Sequence, residues 1–207
     1  MPEHTIEVTT YEELRELHGE PLPRVRDKVQ PRLGTVHEDW IANSPFCVIA
    51  TSAPDGTCDA SPKGDPAGSV RVLDPTTIAI PDRPGNKRVD GFQNVLANPH
   101  VGILFVVPGR GDTLRVNGRA RLLREAPYFD DLVVRGHRPH LVLEVSVEQV
   151  FFHCSKAFLR SKLWDPSSWD PEAVPSRAQI AKRLERPNDS IDELERYYGA
   201  QYAEKLY

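Results

Sequence analysis

A basic stretch near the middle of the chain carries residues that could bind an anion. Lys87 and Arg88 stand directly before a segment whose apolar residues Phe92, Val95 and Leu96 follow helical spacing. A helix N-terminus offers unpaired N–H groups and a partial positive charge, and a glycine two residues before the lysine lets the backbone approach a ligand closely. The pattern therefore predicts a phosphate-binding site, although an ordinary solvated loop with two surface cations has the same composition.

Two further groups of polar residues lie at predicted strands. Residues 61–65, with the sequence Ser-Pro-Lys-Gly-Asp, end one strand, where a hydroxyl and a cation can contact a polar ligand or simply form a turn. Arg115, Asn117 and Arg119 are spaced two apart, so their side chains share one face of another strand. Such a basic face can meet an anionic ligand or a partner subunit, or it can be merely solvated.

The segment after the last predicted strand combines cations with an aromatic ring. Lys156, Arg160 and Trp164 could supply charge and a flat surface beside a planar ligand, whereas a capped helix with the tryptophan packed on the core is the plainer interpretation. His137 and His140 have H-x-x-H spacing, but a proline lies between them and no third ligand is evident. Metal binding is therefore not predicted.

The overall composition excludes several classes of protein. The 207 residues carry a net charge of −4 and 39% of them are hydrophobic, which suits one substantial core and gives no general attraction to nucleic acid or to an anionic membrane. No apolar run approaches the roughly 20 residues that span a bilayer. Three widely spaced cysteines and an N-terminus without a signal-peptide profile predict a cytoplasmic protein.

Helical patterns precede a β-rich middle. Thr10 with Glu13, and Thr35 with Glu38, have capping-box spacing. Short β-branched segments follow, separated by Pro-Asp-Gly and Asp-Pro turns. An asparagine–glycine pair within residues 114–122 could form a hairpin turn, but the alternation of apolar and polar residues runs through it unbroken and favours one long strand.

The C-terminal part of the chain changes character. Residues 175–184 and 190–206 have helical patterns, and Ser190 with Glu193 repeats the capping-box spacing. Many short strands with interspersed helices predict an α+β, mainly β, barrel-type domain with a helical C-terminal extension.

Four motifs occur in the order seen in a known family. They are residues 60–65 (ASPKGD), 80–88 (IPDRPGNKR), 98–102 (NPHVG) and 114–118 (LRVNG). On these motifs, residues 36–164 resemble the pyridoxamine 5′-phosphate oxidase-like, FMN-binding split-barrel family, in particular a bacterial branch of it. The resemblance implies a split β-barrel of the FMN-binding type over residues 36–164, with helical extensions over residues 1–35 and 165–207.

The resemblance also implies a homodimer with two FMN sites at its interface. Lys87 and Arg88 would hold the FMN phosphate, with Asn94 nearby. Other residues of the same subunit would line the cofactor: Ser61, Pro62, Lys63, Ile80, Pro81, Asp82 and Asn86. The second subunit would contribute Arg115, Asn117, Lys156, Arg160 and Trp164.

These expectations favour a flavin-dependent oxidoreductase, in which FMN supplies the reactivity and the protein sets its orientation and nearby charge. Lys63, or a backbone N–H, would stabilise the reduced, anionic flavin. The sequence identifies no residue for proton transfer and indicates no small-molecule substrate. Two alternatives stay open: a non-catalytic protein that stores or senses FMN, and a split barrel that binds a deazaflavin coenzyme or haem. The C-terminal Arg-x-His element of true pyridoxamine phosphate oxidases does not occur after residue 164, so vitamin B6 oxidation is not expected.

Overall fold

The computed structural model describes residues 5–204 and 206–207 of the chain. Residues 1–4, which belong to the predicted N-terminal extension, and residue 205, in the last predicted helix, lie outside the described residues. The strands are β1 (Phe46–Ser52), β2 (Cys58–Gly64), β3 (Arg71–Asp74), β4 (Thr77–Pro81), β5 (His100–Val106), β6 (Thr113–Leu123) and β7 (Val142–His153). The helices are α1 (Tyr11–His18), α2 (Pro23–Arg26), α3 (Thr35–Ala42), α4 (Asp90–Ala97), α5 (Lys156–Ser161), α6 (Arg177–Leu184) and α7 (Ile191–Tyr197).

The seven strands form an antiparallel sheet with the order β2-β1-β5-β6-β7-β4-β3. Strands β2 and β3 are therefore its two edges. Pro62 lies in the middle of β2, opposite Val48 of β1, and proline is tolerated there because an edge strand leaves one side of its backbone without a partner. The prediction of an α+β, mainly β fold is confirmed.

Strand β6 confirms the long strand predicted from the alternation of residues 114–122. Leu114 and Val116 are fully buried, while Arg119 is exposed on the other face. Gly118 lies at an irregularity in the pairing with β7, where a Cβ atom would be only 2.0 Å from the carbonyl oxygen of Ser146. Glycine is needed here because two backbones approach closely, rather than because the chain turns.

The main hydrophobic core holds the strands of the sheet in place. Ile103 and Phe105 of β5, Leu114 of β6 and Ile41 of α3 are almost completely buried in it. Every second residue of β5 is buried because alternate side chains of a strand face the same side. Fully burying one such side chain contributes about 1.5–3 kcal/mol. The strand ends that carry polar residues are thereby held in place by a well-packed interior.

The start of α3 corrects one prediction. Thr35 does not cap the helix but is its first residue, and Gly34 is the N-cap. The Gly34 N–H donates to Nδ1 of His37 at 3.0 Å. The imidazole of His37, three residues after the N-cap, therefore accepts the hydrogen bond that the sequence pattern predicts for the carboxylate of Glu38. The two other predicted capping boxes, at the starts of α1 and α7, are confirmed.

Two further helix predictions are wrong in detail. Leu96, expected on the apolar face of α4, is 77% exposed, because the helix packs on the sheet through the face that carries the buried Asn94 and Val95. Residues 190–206 do not form one helix. Helix α7 ends at Tyr197, and a 3₁₀ turn over Ala200–Glu204 follows Gly199, a residue type that weakens helices.

The terminal helices differ in how well they are packed. Helices α6 and α7 contact each other around Ala181 and Leu194, which are fully buried, whereas α1 has no buried residue. Within residues 5–204 and 206–207, no helix is both long and apolar enough to cross a bilayer. The division of the chain at residues 35 and 164 stays a prediction.

Candidate functional site

A cleft lies beside strand β2, between this strand and the loop that joins β4 to α4. Its volume is about 640 Å³, within the roughly 300–1,000 Å³ that is typical of small-molecule sites. Ser61 and Lys63 line it from β2, and Asn86 and Arg88 line it from the loop. Strands β2 and β4 are not neighbours in the sheet, so the barrel is split between them. Side chains, not backbone hydrogen bonds, bridge the space between these two strands.

Lys63 connects the two walls of the cleft. Its ammonium donates to Oδ1 of Asp82 at 2.8 Å and lies 4.8 Å from the centroid of the Phe92 ring. The two side chains of the ion pair are 28% and 31% exposed, so solvent reaches both of them. Such partly exposed pairs contribute about 0–1 kcal/mol, and the ammonium is therefore available to an oxygen of a ligand.

Helix α4 begins at the cleft without a capping side chain. Its N-cap is Val89, whose side chain cannot accept a hydrogen bond, whereas α1, α6 and α7 each begin with a capping box. Asp90 and Gly91 of its first turn line the cleft. The unpaired N–H groups and the positive end of the helix dipole therefore lie beside the cleft, where they favour an anion.

The residues just before α4 form a bent, cationic loop. Lys87 has a φ of 62°, in the left-handed region, and the Arg88 N–H donates to Oδ1 of Asn86 at 2.9 Å, which supports the bend. The Arg88 guanidinium pairs with Asp90 at 2.6 Å, but its side chain is 74% exposed. This pair contributes about 0–1 kcal/mol, so the guanidinium can turn towards an incoming anion at small cost.

A buried ion pair holds the same loop against the end of β2. Nε of Arg83 donates to Oδ2 of Asp65 at 2.6 Å, and the two side chains are only 11% and 7% exposed. Arg83 also donates to the carbonyl oxygens of Leu132, at 2.8 Å, and His137, at 3.2 Å. Removing one partner would leave a buried charge uncompensated, which is costly. This pair could not be predicted from the sequence, because no local spacing connects residues 18 positions apart.

Nine of the predicted cofactor-binding residues line this cleft or a smaller adjoining cavity of about 320 Å³. They are Ser61, Pro62, Lys63, Ile80, Pro81, Asp82, Asn86, Lys87 and Arg88. The structure therefore brings together the two motifs that the sequence analysis singled out at residues 61–65 and 81–88.

Asn94 has other partners. It is 8% exposed, and its amide donates to Oγ1 of Thr51 at 3.1 Å and to Oδ2 of Asp59 at 2.7 Å. These bonds connect α4 to β1 and β2 below the cleft, and Asn94 is not among the residues that line it. Its predicted place near a phosphate stays a prediction.

The five residues expected from a second subunit do not line this cleft within one chain: Arg115, Asn117, Lys156, Arg160 and Trp164. The guanidinium carbon of Arg115 lies 4.4 Å from the centroid of a phenylalanine ring on β7. The amide of Asn117 donates to a glutamine on β7 at 3.1 Å, and the indole N–H of Trp164 donates to a backbone oxygen at 2.8 Å. Their predicted role requires a second copy of the chain.

The cleft also contains a thiol that is poorly suited to chemistry. Burial raises the pKa of Cys47 to about 12, an effect that the nearby ammonium of Lys63 only partly opposes. Because the thiolate is the reactive form of cysteine, Cys47 is inert at neutral pH. The arrangement is therefore suited to binding and orienting an anionic, polar ligand rather than to nucleophilic attack.

The family comparison agrees with this arrangement. The sequence model of the pyridoxamine 5′-phosphate oxidase family matches residues 33–154, which include the whole sheet and the cleft loop. The chain belongs to this family, and the predicted split-barrel fold is confirmed. Comparison with curated proteins gives no match.

Three solved structures are similar to part of this chain. HupZ of Group A Streptococcus is 23% identical, with a TM-score of 0.47, over 58% of this chain and 93% of its own. An FMN-binding protein from Syntrophomonas wolfei is 13% identical, with a TM-score of 0.45, over 56% and 83% of the two chains. A FAD-binding protein from Mesorhizobium loti is 19% identical, with a TM-score of 0.40, over 60% and 96%.

Proposed function

We propose that this chain binds FMN in the cleft beside β2, as a homodimer, and acts as a flavin-dependent oxidoreductase. The observation that carries the proposal is the start of α4. There, an uncapped helix N-terminus and Arg88 lie at the edge of a cleft of about 640 Å³, and Lys87 lines the smaller cavity that adjoins it. Helix N-termini and arginine side chains are both common binding groups for phosphate.

The described residues suggest how the two ends of FMN would be held. The phosphate would accept hydrogen bonds from the first turn of α4 and from Lys87 and Arg88. Lys63, on the opposite wall, would donate to the oxygen-rich edge of the flavin ring and favour the reduced, anionic form. Bound FMN supplies the capacity to accept and pass on electrons, while the protein supplies orientation and charge.

Visible spectroscopy followed by mass spectrometry tests the identity of the cofactor. Purified protein should be yellow, should release FMN on heating, and should bind added FMN saturably and more tightly than FAD. A colourless protein without a saturable FMN titration would refute the proposal. A haem or deazaflavin spectrum would replace FMN while leaving the fold and the cleft unchanged.

Two further measurements address the finer parts of the proposal. Sedimentation equilibrium of the FMN-loaded protein should give twice the chain mass, and a monomer that binds FMN fully would contradict a shared site. Stopped-flow mixing with a reduced nicotinamide should bleach the flavin if the protein is an oxidoreductase. A flavin that stays oxidised with every donor tested would favour storage or sensing instead.

A further inference from the structure

The C-terminal segment reaches the cleft from outside the family match. Residues 200–204 and 206–207 form a tail at this end of the described chain. Tyr202 of the tail lines the cleft together with Ser61 and Lys63, and it is 53% exposed, so much of its ring is free to meet a ligand. Because the tail lies beyond residues 33–154, family membership assigns it no role.

Tyr207 fixes the end of the tail at the rim of the cleft. Its phenol O–H donates to Oδ1 of Asp65, the same carboxylate that pairs with Arg83. Its ring stacks on His137, with the centroids 5.4 Å apart, and the guanidinium carbon of Arg135 lies 5.7 Å from its centroid. The bond to Asp65 raises the pKa of Tyr207, so the phenol remains a donor at neutral pH.

The start of the tail is fixed by aromatic rings of the α6–α7 pair. The Tyr202 ring lies 5.8 Å from that of Tyr197 and 5.6 Å from that of Tyr198, measured between centroids. The Tyr202 N–H donates to the carbonyl oxygen of Gly199 at 2.9 Å. The tail is therefore anchored at Tyr202 itself and at Tyr207, and a side chain held in this way loses little further freedom when it contacts a ligand.

We propose that Tyr202 contacts the planar ring system of the bound flavin, an inference that rests on the proposed binding of FMN. Tyr207 is then a positioning residue, because its bond to Asp65 holds Tyr202 at the cleft. Aromatic rings interact favourably when offset or edge-to-face, with centroids about 4.5–7 Å apart. Such a contact corresponds to about a two- to tenfold change in affinity.

The dissociation rate of FMN and the fluorescence of the bound flavin test the role of Tyr202. Tyr202→Leu should release FMN about two- to tenfold faster and brighten the bound flavin, because a phenol ring in contact quenches flavin fluorescence by electron transfer. Tyr202→Phe should restore the dissociation rate, since the ring is kept. Tyr11→Leu is the matched control, since Tyr11 is an exposed tyrosine on α1 that is not among the residues lining the cleft, and it should change neither quantity.

A double variant tests the role of Tyr207. Tyr207→Leu should reproduce part of both changes, and Tyr202→Leu/Tyr207→Leu should equal Tyr202→Leu alone, because one residue acts through the other. Additive effects would overturn the positioning role. Wild-type protein that binds FMN, with both readouts unchanged in Tyr202→Leu, would overturn the contact and leave FMN binding intact. Wild-type protein that binds no FMN would overturn the proposed function and this inference together.

Discussion

The double substitution Lys87→Ala/Arg88→Ala removes the two side-chain cations at the start of α4. Both residues line the cavities beside β2, and neither contributes to the buried core. We therefore expect the variant to fold normally and to lose affinity for the phosphate of FMN.

The size of the loss follows from the contacts of the two cations. Each charge-assisted bond to phosphate is worth about 1.5–3 kcal/mol, which gives about 3–6 kcal/mol for two. Arg88 must first leave Asp90, from which it lies 2.6 Å, and the weakness of such exposed pairs limits this cost to about 0–1 kcal/mol. The net loss of about 2–6 kcal/mol corresponds to a dissociation constant raised by about 30-fold to 20,000-fold.

Parallel fluorescence titrations with FMN and riboflavin measure this effect. Riboflavin lacks the phosphate, so its affinity should be the same for the variant and the wild type, and the preference for FMN over riboflavin should largely disappear. A matched control is Arg24→Ala/Arg183→Ala, which changes the net charge equally at exposed positions on α2 and α6.

Three outcomes would refute the reasoning about this site. Unchanged FMN affinity would show that the phosphate binds elsewhere. Equal losses for FMN and riboflavin would show that the substitutions disturb the cleft rather than remove a phosphate contact. A similar loss in the Arg24→Ala/Arg183→Ala control would attribute the effect to net charge alone.

Three further predictions concern stability and thiol chemistry. Gly118→Ala should lower the free energy of unfolding by more than about 3 kcal/mol in urea titrations, because its Cβ would lie 2.0 Å from a backbone oxygen of β7. Gly64→Ala in the edge strand β2, where the nearest atom to the added Cβ is 3.7 Å away, should change this free energy little. A chromogenic disulfide should not react with Cys47 in the native protein, because burial raises the pKa of this thiol to about 12. The same reagent should react with the exposed Cys154, whose pKa is lowered by a hydrogen bond to the backbone of the next helix. Faster reaction of Cys47 than of Cys154 would contradict both pKa shifts. Burial raises the pKa of Tyr128, so stability should fall as the pH rises above the ordinary phenol value of about 10, and Tyr128→Phe should remove that part of the alkaline loss.

The features predicted correctly from the sequence are those that short-range rules determine. The alternation through Asn117 and Gly118 identified one long strand, because the burial of alternate side chains is visible in any stretch of neighbours. The capping box at Ser190 was predicted for the same reason, since its partner is three residues away. The loop of residues 81–88 was also recognised from local composition.

The features that the sequence did not reveal depend on contacts between distant segments. The pair of Arg83 with Asp65 forms only after the sheet brings the ends of β2 and β4 together. The bond from Tyr207 to Asp65 joins residues 142 positions apart. The exposure of Leu96 depends on which face of α4 meets the sheet, and helical spacing alone cannot decide this for a helix that packs through a narrow face.

The proline in the edge strand has a consequence for self-association. An open sheet edge normally exposes a row of donors and acceptors onto which another strand can be added, and this is a route to aggregation. Pro62 has no N–H, so that row is interrupted in the middle of β2, next to the cleft. A second chain would therefore extend the sheet only poorly at β2, and this edge can remain open to small molecules without promoting aggregation.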